Sequence, residues 1–444
     1  MTNNMTSGSP IRLIIMMSIP IILANLFQQM YTMADTIIVG RYLGDNALGA
    51  VGSTSSIYNM VLWFASGIAS GFAILISHSF GCNDYEQMRN RVCHSVILLS
   101  LIGVLVTVLS LVCIEQFLYL MRTPKEMMSD AVAYIKTILS GIIATLAYNM
   151  CSAILRAFGD SRTPLIFLIL TSVLNVILDI LLVVKMGTAG AALATVISQA
   201  VSAILCIIYM YKKLEILHMK RQNWIMNKKM SINMLKLGVP MGIMGALTAS
   251  GVIVLQYAVN SFGAAAVSAY TAASRIEYFF SQPMSAYAVT MSNYVGQNYG
   301  AGKYQRIKTG VRQCTVLMLV TAIIGGLLLN IFGKYFASVL IEDVSSKVFE
   351  YATQYLSIVG CSLWAFGIIC VYRSSVQGMG EAGIPTINAI IESSCRVIWT
   401  IWLVKYGNFH QLCFANPVTW FIASIILIIL YKRKMQSLLK DIDN

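Results

Sequence analysis

Charge is scarce in this chain: Asp, Glu, Lys and Arg make up 11% of its 444 residues, under half of the roughly 25% usual in soluble domains. With 57% hydrophobic residues and a mean hydropathy of +0.73, too little polar surface remains to cover a water-soluble globule. Proline is rare as well, at eight residues. The four histidines, His78, His94, His218 and His410, are dispersed and form no metal or catalytic set. The ten cysteines are scattered without close pairs, which excludes a zinc spacing and points to small buried apolar residues rather than a disulfide framework. No Gly-rich loop ends in Gly-Lys-Ser or Gly-Lys-Thr, and no polar stretch is long enough for a nucleotide-binding domain. No catalytic dyad stands within the apolar runs. An enzyme is therefore not expected, and neither is a cofactor.

What the chain does have is long apolar runs, near 11–39, 47–77, 92–114, 129–155, 164–184, 189–211, 234–260, 264–295, 312–338, 350–373, 384–407 and 411–431. Each can cross about 30 Å of hydrocarbon as a helix of about 20 residues. Continuous runs such as Leu165 to Val184 lack the period-two polarity of a membrane barrel. The first run continues into a full span with no small-residue cleavage site, so it is expected to stay in the membrane.

The layout occurs twice. Pro20 and Pro240 match, as do Gly159-Asp160-Ser161-Arg162-Thr163-Pro164 and Gly380-Glu381-Ala382-Gly383-Ile384-Pro385, and Tyr211-Lys212-Lys213 and Tyr431-Lys432-Arg433. With so few prolines, two pairs at spacings of 220 and 221 argue for duplication. The expected fold is an all-α integral membrane protein of twelve transmembrane helices in two pseudo-symmetric six-helix lobes: residues 1–211, a basic cytoplasmic linker at 212–231, and residues 232–444.

The net charge of +13 does not indicate a nucleic-acid partner, because of where the charge lies. With the N-terminus inside, 21 basic residues fall on inner segments, against eight outside: Arg41, Arg122, Lys125, Lys136, Lys185, Lys334, Lys347 and Lys405. This bias places both termini in the cytoplasm. The lipid bilayer is the expected partner, and a monomer suffices.

Carboxylates within spans are functional candidates by default. Glu392 and Arg396 are spaced for an i,i+4 pair, and Glu277 has Arg275 nearby, so a structural pairing suits these two acids. Asp35 and Asp179 differ: no basic residue lies within four positions, and each precedes the next charge, Arg41 or Lys185, by six. Helical spacing puts Asn175 one turn before Asp179, and Tyr31 and Gln28 one and two turns before Asp35, while Thr195 on the following span can complete the group. A carboxyl out of water loses the solvation of its charged form and a second carboxyl adds repulsion, so such a pair suits proton uptake and release. The same oxygens could ligate sodium; no other metal site is expected. Their counterparts in the second copy fall near Leu255, Arg396 and Thr400, so the scaffold itself does not require the polar cluster. Pro20, on the helix of Asp35, interrupts a helical hydrogen bond and is a candidate hinge. Gln28, Tyr148, Gln256 and Tyr278 are candidates for lining a substrate cavity.

The duplicated plan, Ser18-Ile19-Pro20, Met33-Ala34-Asp35-Thr36 with Val39-Gly40, Leu155-Arg156-Ala157-Phe158-Gly159-Asp160-Ser161-Arg162-Thr163-Pro164, Asn175-Val176-Ile177-Leu178-Asp179 and Gly190-Ala191-Ala192-Leu193-Ala194-Thr195 resemble the multidrug and toxic compound extrusion (MATE) transporters, over nearly the whole chain. The placement of the acids looks most like the DinF-like branch. The resemblance implies a proton- or sodium-coupled antiporter of the bacterial plasma membrane that exports amphipathic, often cationic compounds by alternating access. It further implies Asp35, Asn175 and Asp179 as the coupling site, Tyr31 and Thr195 in support, and bending at Pro20. Gln256 and Ala365 to Arg373 show no acid where the NorM-like branch carries its second-lobe site. The alternative is a flippase for lipid-linked sugar or cell-wall precursors of the same superfamily, with Arg275 and Arg396 facing a pyrophosphate.

Overall fold

A backbone in hydrocarbon must satisfy its own hydrogen bonds, so long apolar runs between sparse charges fold as helices. The computed structural model describes residues 4–120, 123–341 and 346–443, which contain α-helices, two short 3-10 turns and no strand; Arg122 of the outer basic set lies outside them. The first copy holds α1 (Pro10–Leu43), α2 (Asp45–Gly81), α3 (Tyr85–Leu120), α4 (Lys125–Ser140), α5 (Ile142–Ala157), α6 (Arg162–Met186) and α7 (Thr188–Lys213). The second holds α8 (Lys228–Ser261), α9 (Ala264–Gly300), α10 (Tyr304–Leu340), α11 (Lys347–Gly360), α12 (Leu363–Gly378), α13 (Gly383–Tyr406), the single turn α14 (Phe409–Leu412) and α15 (Ala415–Asp443). Gly44 and Gly263, with φ of 81° and 88°, separate the first two helices of each copy, a backbone region in which a side chain is strained.

Among the described residues, nine helices are long and apolar enough to cross a membrane, counting α14 and α15 together. Two bent pairs, α4 with α5 and α11 with α12, turn by 46° and 48° and are each long and apolar enough for one further span. The sequence predicts unbroken spans at 129–155 and 350–373; Gly141 and the pair Cys361-Ser362 interrupt them. The twelfth helix, α9, has the length but not the hydropathy, because it carries Arg275 and Glu277 and buries Gln282, Thr290 and Asn293. The chain is a multi-pass membrane protein. α3 shows why: Leu101, Val104, Leu105, Val108 and Leu109 are more than half exposed, a surface suited to lipid rather than water.

The helices form two compact units, one built mainly from Ile19–Ala246 and the other from Met5–Ser18 with Leu247–Asn444. The opening part of α1 therefore belongs with the second copy, and the opening part of α8 with the first. Close packing accounts for the latter. A Cβ at Gly71 of α2 would stand 2.6 Å from the Cα of Gly238, and one at Gly242 would stand 2.8 Å from the carbonyl oxygen of Phe64, so small residues let α2 and α8 meet backbone to backbone.

Hydrogen bonds anchor both openings. In the first unit, buried Asn223 of the linker donates to Glu86 Oε1 and Asn90 Oδ1, each at 2.7 Å, and the Asn227 N–H donates to His94 Nε2 at 2.8 Å, just before α8 begins. In the second, Arg306 donates to the carbonyls of Met5 (3.1 Å), Ser7 (2.9 Å) and Gly8 (2.7 Å), just before α1 begins. Ser18 on α1 donates to Thr290 on α9 at 2.9 Å.

Candidate functional site

α6 is laid down by a one-sided pattern. Leu168, Thr171, Asn175, Asp179 and Val183 recur at helical spacing and are buried, while Ile177, Leu181 and Val184 are more than half exposed. The polar members of the buried stripe thus point into the first unit, where Asn175 is 1% exposed and Asp179 is fully buried. α1 brings Asp35 to meet them, and the two carboxyls lie close enough to interact directly.

Asp35 Oδ1, both carboxyl oxygens of Asp179 and both amide atoms of Asn175 are buried without a hydrogen-bond partner. Buried polar groups are normally satisfied, so several orphaned atoms side by side call for something between them. Two facing carboxylates out of water repel one another unless a proton or a cation offsets them. The arrangement fits either. A proton on one carboxyl can be shared with the other, and the oxygens of Asp35, Asp179 and Asn175 are hard donors of the kind sodium takes. Among the described residues, no group of three or more His, Cys, Asp and Glu side chains could hold another metal.

Around the acids stands a ring of tyrosines. Tyr31 lies beside Asp35, Gln28, Tyr58 and Tyr148. Tyr58 on α2 is within hydrogen-bonding reach of Thr145 on α5, and Tyr134 on α4 faces Tyr58 and both aspartates. Tyr58 and Tyr134 were not among the expected residues; nothing marks them singly among 22 tyrosines. The Thr195 hydroxyl donates to the Ala191 carbonyl at 3.2 Å, so it is turned to its own helix. Tyr148 donates to the Pro164 carbonyl at 3.4 Å, and α1 continues as a helix through Pro20, which is buried. Of the cavity candidates, Gln28 and Tyr148 join this cluster, whereas Gln256 and Tyr278 belong to the second unit; Gln256 donates to Asn260 Oδ1 at 2.9 Å and Tyr278 is 45% exposed.

The second unit carries a different polar cluster. Glu392 on α13 takes hydrogen bonds from Arg396 at 3.2 Å and from Arg373 on α12, and both guanidinium groups are largely buried. Glu277 on α9 does not pair with Arg275, which is exposed; two residues apart, their side chains leave the helix on different sides. Glu277 instead accepts from the Tyr355 hydroxyl at 2.5 Å, with Arg396 and Tyr270 nearby. Room for Arg396 comes from Gly251 on α8, where a Cβ would overlap the guanidinium. Of the two cations expected to face a pyrophosphate, Arg396 is bonded to Glu392 and Arg275 is exposed.

The family model described as MatE matches residues 20–181 and again 240–402. Over 405 residues, 90% of this chain and 88% of the relative, the chain is 28% identical to a "Probable multidrug resistance protein YpnP" of Bacillus subtilis. It is 22% identical over 429 residues, 92% and 91% of the two chains, to a protein named "FAD transporter" of Shewanella oneidensis. Among solved structures, "Crystal structure of MATE in complex with MaL6" superposes with a TM-score of 0.92 at 22% identity, covering 98% of this chain and 99% of that one; at this identity the likeness concerns the fold.

Proposed function

The chain belongs to the MATE family, and from that membership we propose that it exports amphipathic, often cationic organic compounds by proton- or sodium-coupled antiport, with Asp35 and Asp179 as the coupling carboxyls. Family relatives bear multidrug-resistance names, which supports a broad organic cargo. The observation that carries the coupling role is the facing pair of carboxyls, of which Asp35 Oδ1 and both oxygens of Asp179 are buried without a partner, as are the Asn175 amide atoms. A proton or sodium ion entering there offsets the repulsion of the pair; its departure restores the repulsion, so occupancy can bias one conformation over another. Export of a cation against a negative interior requires roughly 2.3 kcal/mol per charge per 100 mV, and an inward proton or sodium ion can supply it. Tyr31, Tyr58 and Tyr134 bound the site and restrict the approach of water. The proposed setting is the bacterial plasma membrane with both termini cytoplasmic, on the strength of the basic residues at 212–236, 303–312 and 432–440.

Proteoliposomes loaded with a fluorescent cationic dye test this reading. Under an imposed proton or sodium gradient the wild type moves dye, and Asp35→Asn and Asp179→Asn do not. Full activity in both variants, or wild-type movement indifferent to both gradients, removes the coupling site. The gradient that drives transport identifies the ion.

A further inference from the structure

The matched positions of the two copies suggest where to look next. Gly44 and Gly263 align α2 with α9, which sets Glu277 at the place of Tyr58. Pro164 and Pro385 align α6 with α13, which sets Arg396 at the place of Asn175. The second unit therefore has its own carboxyl, half-buried, where the first unit has a tyrosine of its polar cluster.

We propose that Glu277 is a second proton-binding carboxyl, in the second unit, whose occupancy sets the net charge of the Arg373–Glu392–Arg396 cluster. The argument is one of charge balance. A guanidinium is charged at all accessible pH values, so Arg373 and Arg396 contribute two positive charges. Glu392, bonded to both, offsets one. Glu277 faces Arg396 and is the remaining acid of the group. When Glu277 is ionised the cluster is neutral; when it is protonated one positive charge is left over in a poorly solvated place. A proton on Glu277 then repels a cationic cargo from this part of the unit, and its release removes the repulsion, which is the sign an antiporter needs.

The surroundings permit this titration. From α11 comes the Tyr355 hydroxyl, which donates to the carboxylate at 2.5 Å and can turn to accept from the acid. From α13 comes Arg396, and on α9 itself Tyr270 stands edge-on to Tyr355 at 5.3 Å between ring centroids. Cys413, just after α14, faces the two tyrosines, while Arg373 and Cys370 of α12 lie on Glu392. From α10, Cys314 sits beside Tyr287, farther along α9.

The proposal rests on the transporter reading for its consequence, but its test does not. In the full-length protein in lipid nanodiscs, infrared difference spectra across a pH series report the carbonyl stretch of neutral carboxyl groups. One titrating band should be lost in Glu277→Gln and persist in the Asp35→Asn/Asp179→Asn double variant. Glu277→Asp should keep a band of comparable amplitude, and Tyr355→Phe should keep the amplitude and move the midpoint. An unchanged spectrum in Glu277→Gln overturns the proposal, and so does a Tyr355→Phe midpoint that does not move. Failure of dye transport by the wild type under both gradients, with its Glu277 band present, would sink the transporter reading and leave this one standing.

Discussion

At equivalent places the two units hold opposite chemistries. The first has two carboxyls with no cation beside them; the second has two guanidiniums bonded to Glu392, with Glu277 nearby and held by the Tyr355 hydroxyl. Sizes are exchanged along with charges. Where α1 carries Tyr31 and α6 carries Asn175, α8 carries Gly251 and α13 carries Arg396, so bulk removed from one helix is returned on its neighbour. A duplicated scaffold thus tolerates a shift of bulk between helices while the polar content diverges. The difference also separates two uses of buried charge. A network of balanced charges holds helices together, whereas two like charges side by side are stable only with something added, which is what a coupling site requires.

The contrast breaks most sharply on neutralising the acids. Asp35→Asn or Asp179→Asn should reduce gradient-driven dye transport to the background of protein-free liposomes, with thermal stability in detergent equal to wild type or above it, because a buried repulsion is removed. A large loss of stability in these variants would mean that the pair is structural. Glu392→Gln should do the reverse. Two guanidiniums lose their carboxylate in a buried place, and breaking a buried pair costs about 3–5 kcal/mol. A melting temperature unchanged from wild type would show that water or lipid reaches Arg373 and Arg396 and that the cluster contributes little.

The size exchange gives a third test. Gly251→Ala gains up to about 1 kcal/mol in helix propensity, yet its methyl must push Arg396 off Glu392, and losing a charge-assisted hydrogen bond costs about 1.5–3 kcal/mol. The net expectation is a loss of about 1 kcal/mol. In an Arg396→Asn background the obstruction is gone, so the same substitution should become stabilising. An effect of the same sign in both backgrounds would disconnect Gly251 from Arg396.

Much of this was legible from residue order alone. The spans follow from runs of apolar residues, and the duplication follows from prolines and turns, because both are local and long. Asp35 and Asp179 stood out because charge is so rare in the spans. The Glu392–Arg396 pair was visible because i,i+4 neighbours share a helix face. Arg373, the other partner of Glu392, comes from a different helix and has no such spacing. Glu277 likewise binds Tyr355, which is distant in sequence, and not the adjacent Arg275. Tyr58 and Tyr134 could have been found by aligning the copies, since they occupy the places of Glu277 and Tyr355. The linker at 212–231 reads as polar and loop-like, which hid its attachment to α3.

That attachment supplies the smallest expected effect and a comparison of its own. Asn223 ties the chain before α8 to α3 through one side chain, while Arg306 ties the chain before α1 to α10 through three carbonyls. Asn223→Ala removes hydrogen bonds to Glu86 and Asn90, whose own polar atoms can turn to water, so the cost should be about 1 kcal/mol. Arg306→Ala leaves the exposed carbonyls of Ser7 and Gly8 to water and that of Met5 to Asn298, and should cost a similar amount. Both variants should keep dye transport under a gradient, because neither touches the polar clusters. If Asn223→Ala instead loses transport while its melting temperature stays within a degree or so of wild type, the start of α8 is part of the moving machinery, and the linker is a coupling element rather than a fastening.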